Sequence, residues 1–372
     1  MENCQSVNNM HIDFANLQLQ YQKYKVDIDA NIQAILNKSN YIMGEEVLGL
    51  ERELEKFSGV KHALTCSSGT DALLLAMMAL DIQPGDEIIT TPFTFISTAE
   101  TIALMKAKPV FVDIEEDTFN IDASLIKDAI TSKTKAIMPV SLFGQSSDIN
   151  TIQAIADDFS LKVIIDGAQS FGSIYNGKTD SNLGDISITS FFPAKPLGCY
   201  GDGGAVFTND DEYAEKIKMM RVHGQDKRYH HKYVGLGGRL DTIQAAILLA
   251  KLPHYSQELK LREKVAQYYT ISLSSNFKTP VIKPNRYSSW AQYTIKSCDR
   301  DNIQSKLKSY NIPTSVYYPI PLHLQKCFEY LNYKQGDFPI SEKSSKEVIS
   351  LPINSFITKI EQEYIISNLL EC

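Results

Sequence analysis

Between about residues 60 and 220 the chain alternates short runs rich in β-branched residues with segments of helical period, and this alternation restricts the possible folds more than any other feature. The candidate strands are HALTC (62–66), DEIIT (86–90), PVFVD (109–113), KAIMPV (135–140), KVIID (162–166), ISITS (186–190) and AVFT (205–208). Between most of them lie TDALLLAMMAL, STAETIALMKA, DASLIKDAI, INTIQAIADDF and DEYAEKIKMM, each with helix-like apolar spacing. Strand and helix in alternation demand crossover connections, so the sequence predicts an α/β fold with a mainly parallel sheet and helices on both faces. Ligands of such sheets bind beyond the carboxyl ends of the strands, which directs attention to the residues that follow each run.

The remainder of the chain is arranged around that region. A long helical stretch over 241–275 is expected to be interrupted near Pro253, since proline removes a helical donor. After it, AQYTIK, DNIQSKLKSY and TKIEQEYIISNLLE predict a smaller α+β domain over 251–372. Residues 58–250 form the large domain in this reading, and 12–57 form helices that pack beside the small one. Met10 offers an alternative start, with residues 1–9 as a poorly ordered leader.

Composition closes off several functions. A net charge of −7 over 372 residues gives no electrostatic footprint for nucleic acid or an anionic membrane. Six cysteines occur without a CxxC pair or a Cys/His cluster, so neither a metal site nor a disulfide framework is indicated. The polar start lacks a signal-peptide pattern and no segment has the length of a membrane span, so a cytoplasmic location is expected.

Chemistry is concentrated in SFFPAKPLGCYGDGGAVF (190–207), where Lys195 sits among phenylalanines, prolines and a leucine. Desolvation lowers the pKa of an amine, and a lysine that is often neutral can form a Schiff base with an aldehyde; the plainer alternative is an exposed loop lysine. Upstream, CSSGTDAL carries a strand through Gly69 and Thr70 into a helix start, where free N–H groups and hydroxyls suit a phosphate, or simply a helix cap. KVIID ends in Asp166, placed either to hold a pyridine nitrogen or to cap a helix. Phe93 follows the strand at 86–90 and has the flat face to stack on a ring, and Ser190 ends a strand five residues before Lys195. Their order matches the four parts of a pyridoxal phosphate (PLP) site. The GDGG run (201–204) lacks dinucleotide spacing and precedes a strand, so a nucleotide-fold fingerprint is rejected.

The segments CSSGTDAL, TPFTFISTAE, PVFVDI, DGAQSFG, SFFPAKPLGCYGDGGAVFTND, RLDTIQAAIL and YYPIPLH together resemble the DegT/DnrJ/StrS nucleotide-sugar aminotransferases from about His11 onward. The resemblance implies a fold-type I PLP enzyme, a homodimer with shared active sites, and L-glutamate as donor with 2-oxoglutarate as product. By position it makes Lys195 the Schiff-base lysine and Asp166 the partner of the pyridine nitrogen. It puts Phe93 and Gln169 near the ring, and Gly69, Thr70 and Ser190 on the phosphate. Where the family often carries a phosphate-binding Asn in Gly-x-Asn-x-Arg, this chain has Gly237. RVHGQDKRYHHKY (221–233) reads either as a solvated loop or as a diphosphate holder, and His323 of PIPLH as a structural or a substrate-side residue.

The Lys195 segment is similar to 3-aminotransferases of bacterial surface-polysaccharide synthesis, which implies a UDP-2-acetamido-2-deoxy-3-keto-hexuronate substrate. Arg239 would face the uronate carboxylate, unless it forms an ion pair with Asp241. A dTDP-3-keto-6-deoxyhexose and a 4-keto sugar are the alternative substrates. A related dehydratase branch replaces the lysine with histidine, which Lys195 opposes; a non-catalytic regulator would tolerate loss of Lys195 or Asp166, and both are present.

Overall fold

The computed structural model describes residues 11–372. Two helices open it, α1 (Leu17–Lys38) and α2 (Glu45–Ser58). The alternating region follows as β1 (His62–Cys66), α3 (Gly69–Ala79), β2 (Glu87–Thr90), α4 (Ser97–Leu104), β3 (Lys108–Phe111), β4 (Thr134–Ile137), α5 (Ile149–Asp158) and β5 (Lys162–Asp166). After the short strands β6 (Ile174–Tyr175) and β7 (Lys178–Thr179) come β8 (Ile186–Ser190), β9 (Gly204–Thr208) and α6 (Asp211–Met220). The hairpin β10 (Gln225–Lys227) and β11 (His230–His231) leads to α7 (Thr242–Leu273), and β12 (Arg286–Tyr287) pairs with β6. The chain closes with β13 (Tyr293–Lys296), α8 (Arg300–Ser309), α9 (Pro339–Glu347), β14 (Val348–Leu351) and α10 (Lys359–Leu370).

Seven strands make the main sheet in the order β1-β9-β8-β5-β4-β2-β3. All neighbours from β8 to β3 are parallel, and β9 runs antiparallel between β1 and β8. Because successive strand residues point to opposite faces, β5 feeds two cores at once. Ile164 packs with Ala72, Ala76 and Ile217 of α3 and α6, while Val163 and Ile165 pack with Ile152 and Ile155 of α5. A strand buried on both sides reads as a continuous apolar run, which is why KVII was legible. All seven predicted strands lie in this sheet.

Four expectations are corrected. Helix α7 runs through Pro253 without a break. Pro253 lies on the exposed side, while Leu248, Leu252, Tyr255 and Leu259 bury the opposite stripe, and that packing holds the helix across the missing bond. The division placed at 250/251 therefore falls inside one helix. DASLIKDAI forms only two 3₁₀ turns, Ala123–Leu125 and Lys127–Ala129, with Asp122 capping the first. The segment 12–57 does not pack mainly on the small unit: Val47, Leu50 and Leu54 of α2 join Ala63, Phe171 and Phe207 on the main sheet, and Tyr24 and Ile28 of α1 pack on Ile247 and Ala250 of α7. Part of it does reach across: Ile12 joins the cluster of Tyr269, Tyr293, Leu351 and Ile365, Tyr24 stacks on His254, and Gln20 donates to Glu258. The expected leader and alternative start at Met10 lie outside the described residues.

Candidate active site

Strands β1, β8 and β5 end at the same edge of the sheet, β8 beside β5 and β1 across β9, and the chain turns out of each one into the residues singled out above. Gly69 and Thr70 open α3, and the side chain of Ser68 caps it by accepting from the Asp71 N–H at 3.0 Å. Among the described residues the N–H groups of Gly69 and Thr70 have no protein acceptor. A Cβ on Gly69 would lie 2.9 Å from Cβ of Ser190, and one on Gly204 would lie 2.5 Å from the Ser68 carbonyl oxygen. Glycines at these two positions thus let the helix start sit directly against the end of β8. Free donors and the positive helix end lie against Ser190, and Thr70 adds a hydroxyl at the same helix start, a donor set that suits a phosphate. Thr70 Oγ1 is 2.9 Å from Ser97 Oγ, and Ser190 Oγ accepts from the Phe192 N–H at 3.2 Å.

Asp166 is buried at the tip of β5. Its Oδ2 accepts from the Thr98 hydroxyl at 2.7 Å and its Oδ1 from the Ala168 N–H at 3.2 Å. Both donors are neutral, so burial dominates and pushes the carboxyl above the usual carboxylate range; the two hydrogen bonds and the charge of Lys195 pull the other way. A buried carboxylate supported by neutral donors favours a cationic partner, and a pyridinium is one. Gln169 is fixed at both ends, its Oε1 accepting from the Phe143 N–H at 2.8 Å and its Nε2 donating to Tyr318 at 3.0 Å.

Lys195 projects from a loop closed by three backbone bonds: Lys195 N–H to Phe192 O at 2.8 Å, Cys199 N–H to Phe191 O at 2.8 Å, and Phe191 N–H to Gly203 O at 2.7 Å. The side chain is half-buried. Loss of solvent pushes its amine down to about 8, against the pull of Asp166.

The ring-facing aromatic is the first site correction. Phe93 has 0% of its surface exposed and is stacked on Phe119 with centroids 5.8 Å apart, so no ring can lie on it. Phe95, two residues on, is 55% exposed and 6.2 Å from Tyr318, and it presents the open face. Period-two alternation out of β2 was not enough to tell the two apart. His323 is the second correction. Its side chain has no exposed surface, Nε2 pairs with Glu342 at 3.1 Å and the ring lies 4.7 Å from Phe338, so a sugar has no surface to touch. Burial holds the imidazole below its ordinary pKa.

Arg239 is half-buried and, among the described residues, forms no ion pair; the alternative pairing with Asp241 is not made. Beside it, a Cβ on Gly237 would meet the His223 ring at 3.2 Å, so the imidazole occupies the room that a side chain there would use. The stretch Lys227–Lys232 is exposed, with Arg228 over the Tyr229 ring at 5.1 Å. Thr98 and Tyr318 were missed. Thr98 looks like any helix-start threonine, and Tyr318 lies about 150 residues along the chain from the glutamine it meets. The described residues include no helix long and apolar enough to cross a membrane.

An amine with a lowered pKa, a buried carboxylate held by neutral donors and a helix-start cradle, all at the carboxyl edge of a parallel sheet, meet the requirements of a fold-type I PLP enzyme. The chain belongs to the DegT/DnrJ/EryC1/StrS aminotransferase family, whose model matches residues 22–370. It is 49% identical over 347 residues to a UDP-2-acetamido-2-deoxy-3-oxo-D-glucuronate aminotransferase of Pseudomonas aeruginosa, covering 93% of this chain and 96% of that one. It is 44% identical over 366 residues to a pleiotropic regulatory protein of Geobacillus stearothermophilus, covering 97% and 98%. Among solved structures, a DegT/DnrJ/EryC1/StrS aminotransferase from Brucella abortus superposes with a TM-score of 0.93 at 37% identity, over 97% of this chain and 99% of that one. Bacillus subtilis NtdA with its bound cofactor PMP superposes with a TM-score of 0.91 at 29% identity, over 98% and 86%. The protein is an aminotransferase that depends on PLP.

Proposed function

We propose that the enzyme transfers the amino group of L-glutamate to C3 of a UDP-linked 2-acetamido-2-deoxy-3-keto-hexuronate, in the cytoplasm, as a step toward a bacterial surface polysaccharide. The observation that carries the substrate is Arg239, a half-buried guanidinium without an acid partner among the described residues, in a chain 49% identical to an aminotransferase named for such a uronate. A planar two-pronged donor fits a carboxylate and has little to offer a 6-deoxy methyl group. The exposed basic stretch 227–232 supplies charge for the diphosphate. The active unit is a homodimer with shared sites, a reading supported by the exposed apolar side chains Ile42 and Phe192.

When bound, PLP supplies a carbonyl that exchanges amines and a pyridinium that takes up the electron pair released at the substrate carbon. Lys195 holds the cofactor covalently between turnovers and, once displaced, moves the protons. As a neutral amine it takes the proton from Cα of glutamate, and in the second half-reaction it delivers one to C3 of the sugar. Asp166 holds the proton on the ring nitrogen, with Thr98 and Ala168 orienting its two oxygens. Gly69, Thr70 and Ser190 bind the phosphate, while Phe95 and Gln169 orient the ring.

Turnover of the UDP-3-keto-uronate and of a dTDP-3-keto-6-deoxyhexose by parent and Arg239→Met tests the assignment. We expect kcat/KM for the uronate to fall by an amount worth roughly 2–5 kcal/mol, with little change for the deoxy sugar. Equal turnover of both sugars by both proteins would refute the carboxylate role, and a preference for a 4-keto sugar would refute amination at C3.

A further inference from the structure

A second lysine lies beneath the Lys195 loop, and the chemistry above does not use it. Lys251, on α7, is 2% exposed. A lysine is rarely buried so completely without a role for its amine. Its Nζ donates to the carbonyl of Gly198, three residues past Lys195, and lies 5.0 Å from the centre of the Tyr200 ring. Two helical turns earlier on the same face, Gln244 Oε1 accepts from the Tyr200 N–H at 2.8 Å. The loop is tightly folded at this point: a Cβ on Gly198 would lie 2.4 Å from the Pro193 carbonyl oxygen. The residues before and after Lys195 are therefore packed on each other, and the underside of that fold is fastened to α7 at Gly198 and Tyr200.

We propose that Lys251 is a positioning residue for Lys195, its buried amine clamping the Gly198 carbonyl so that the reactive lysine is held at a fixed place and depth. The inference rests on Lys195 being the cofactor lysine. A carbonyl acceptor and an aromatic face suit either protonation state of an amine, so the clamp does not depend on a paired carboxylate. Desolvation pushes the Lys251 amine down to about 8, which is consistent with an enclosed site; Glu258 and Cys199 oppose the shift. Helix α7 begins three residues after Arg239, so the same helix that carries the clamp follows directly from the proposed substrate contact.

The test is made on the holoenzyme of the parent, of Lys251→Met and of a small-domain control, Ile365→Val. Amide exchange over 191–201 should be faster by about tenfold or more in Lys251→Met and unchanged in the control. The visible band of the Lys195-bound cofactor should titrate at least about half a pH unit higher, because water entering the loosened loop favours the protonated nitrogen. A role confined to stability lowers the melting temperature without moving that midpoint. Unchanged exchange or an unchanged midpoint in Lys251→Met overturns the proposal. If Lys251→Met does not fold, Gln244→Leu removes the neighbouring tie and should give the same two changes in smaller measure; no change there also overturns it. Borohydride reduction and peptide mapping of the parent separate the two readings: label on another lysine defeats the assignment of Lys195, while exchange over 191–201 still reports whether Lys251 anchors the loop.

Discussion

Replacing Lys195 with methionine should make the cofactor-free protein more stable, and the gain should depend on pH in one direction only. The amine falls from an ordinary 10.5 to about 8 because folding strips it of water. At about 1.4 kcal/mol per pH unit, that gap corresponds to about 3 kcal/mol of cost for keeping the ammonium in the folded chain. The side chain is only half-buried and retains some water, so we expect about 1–3 kcal/mol. Below pH 8 the lysine is protonated in both the folded and the unfolded chain, and the folded state carries the full cost. Between 8 and 10.5 the folded chain has released its proton while the unfolded chain still holds one, so the parent gains stability as pH rises. Lys195→Met has no such term. Its advantage should be greatest at pH 7 and should shrink toward pH 10, on top of any constant difference from packing. Urea unfolding of both cofactor-stripped proteins at matched protomer concentration measures this. A stability difference that does not change between pH 7 and pH 10 would show that Lys195 is not desolvated in the folded chain.

Asp166→Asn should retain PLP yet react with glutamate slower by about 10²-fold or more in single turnover, because an amide cannot hold the ring proton; a rate near the parent's would contradict its role. Gly69→Ala should cost about 1–3 kcal/mol of stability and weaken cofactor retention, since the new methyl meets Ser190 at 2.9 Å. Adding Ser190→Gly should recover the stability but not the retention; if stability is not recovered, that contact is not the cause. His323→Asn should lower the melting temperature while leaving KM for the sugar unchanged, and an altered KM would return His323 to the substrate site. Because burial lowers the pKa of His323, the unfolded chain takes up its proton first as pH falls through 6.5, so acid should destabilise the parent through this residue and His323→Asn should lack that component.

Much of this was readable from residue order. An apolar run buried on both faces, as in KVIID, stands out because a strand inside a parallel sheet has no polar side to mask it. Lys195 and Asp166 could be singled out as candidates because each has a local signature: an amine among aromatic and proline residues, and a carboxylate closing a buried strand. The candidate phosphate cradle could be singled out for the same reason, since a helix start offers anions its own backbone donors. What was misjudged or missed depends on surfaces that residue order does not specify. Phe93 and Phe95 are chemically alike and two positions apart; Phe119 covers one and leaves the other open. The histidine of PIPLH became structural because Glu342 and Phe338 enclose it, and Pro253 stayed helical because a buried stripe of α7 outweighs one lost hydrogen bond. Tyr318 reached Gln169, and Lys251 reached Gly198, across long stretches of chain. Local sequence determined which groups can carry the chemistry, because capping, periodicity and desolvation by adjacent residues act over a few positions. Tertiary packing decided which of them are exposed, paired or clamped, because burial is a property of the neighbours that folding brings from elsewhere in the chain.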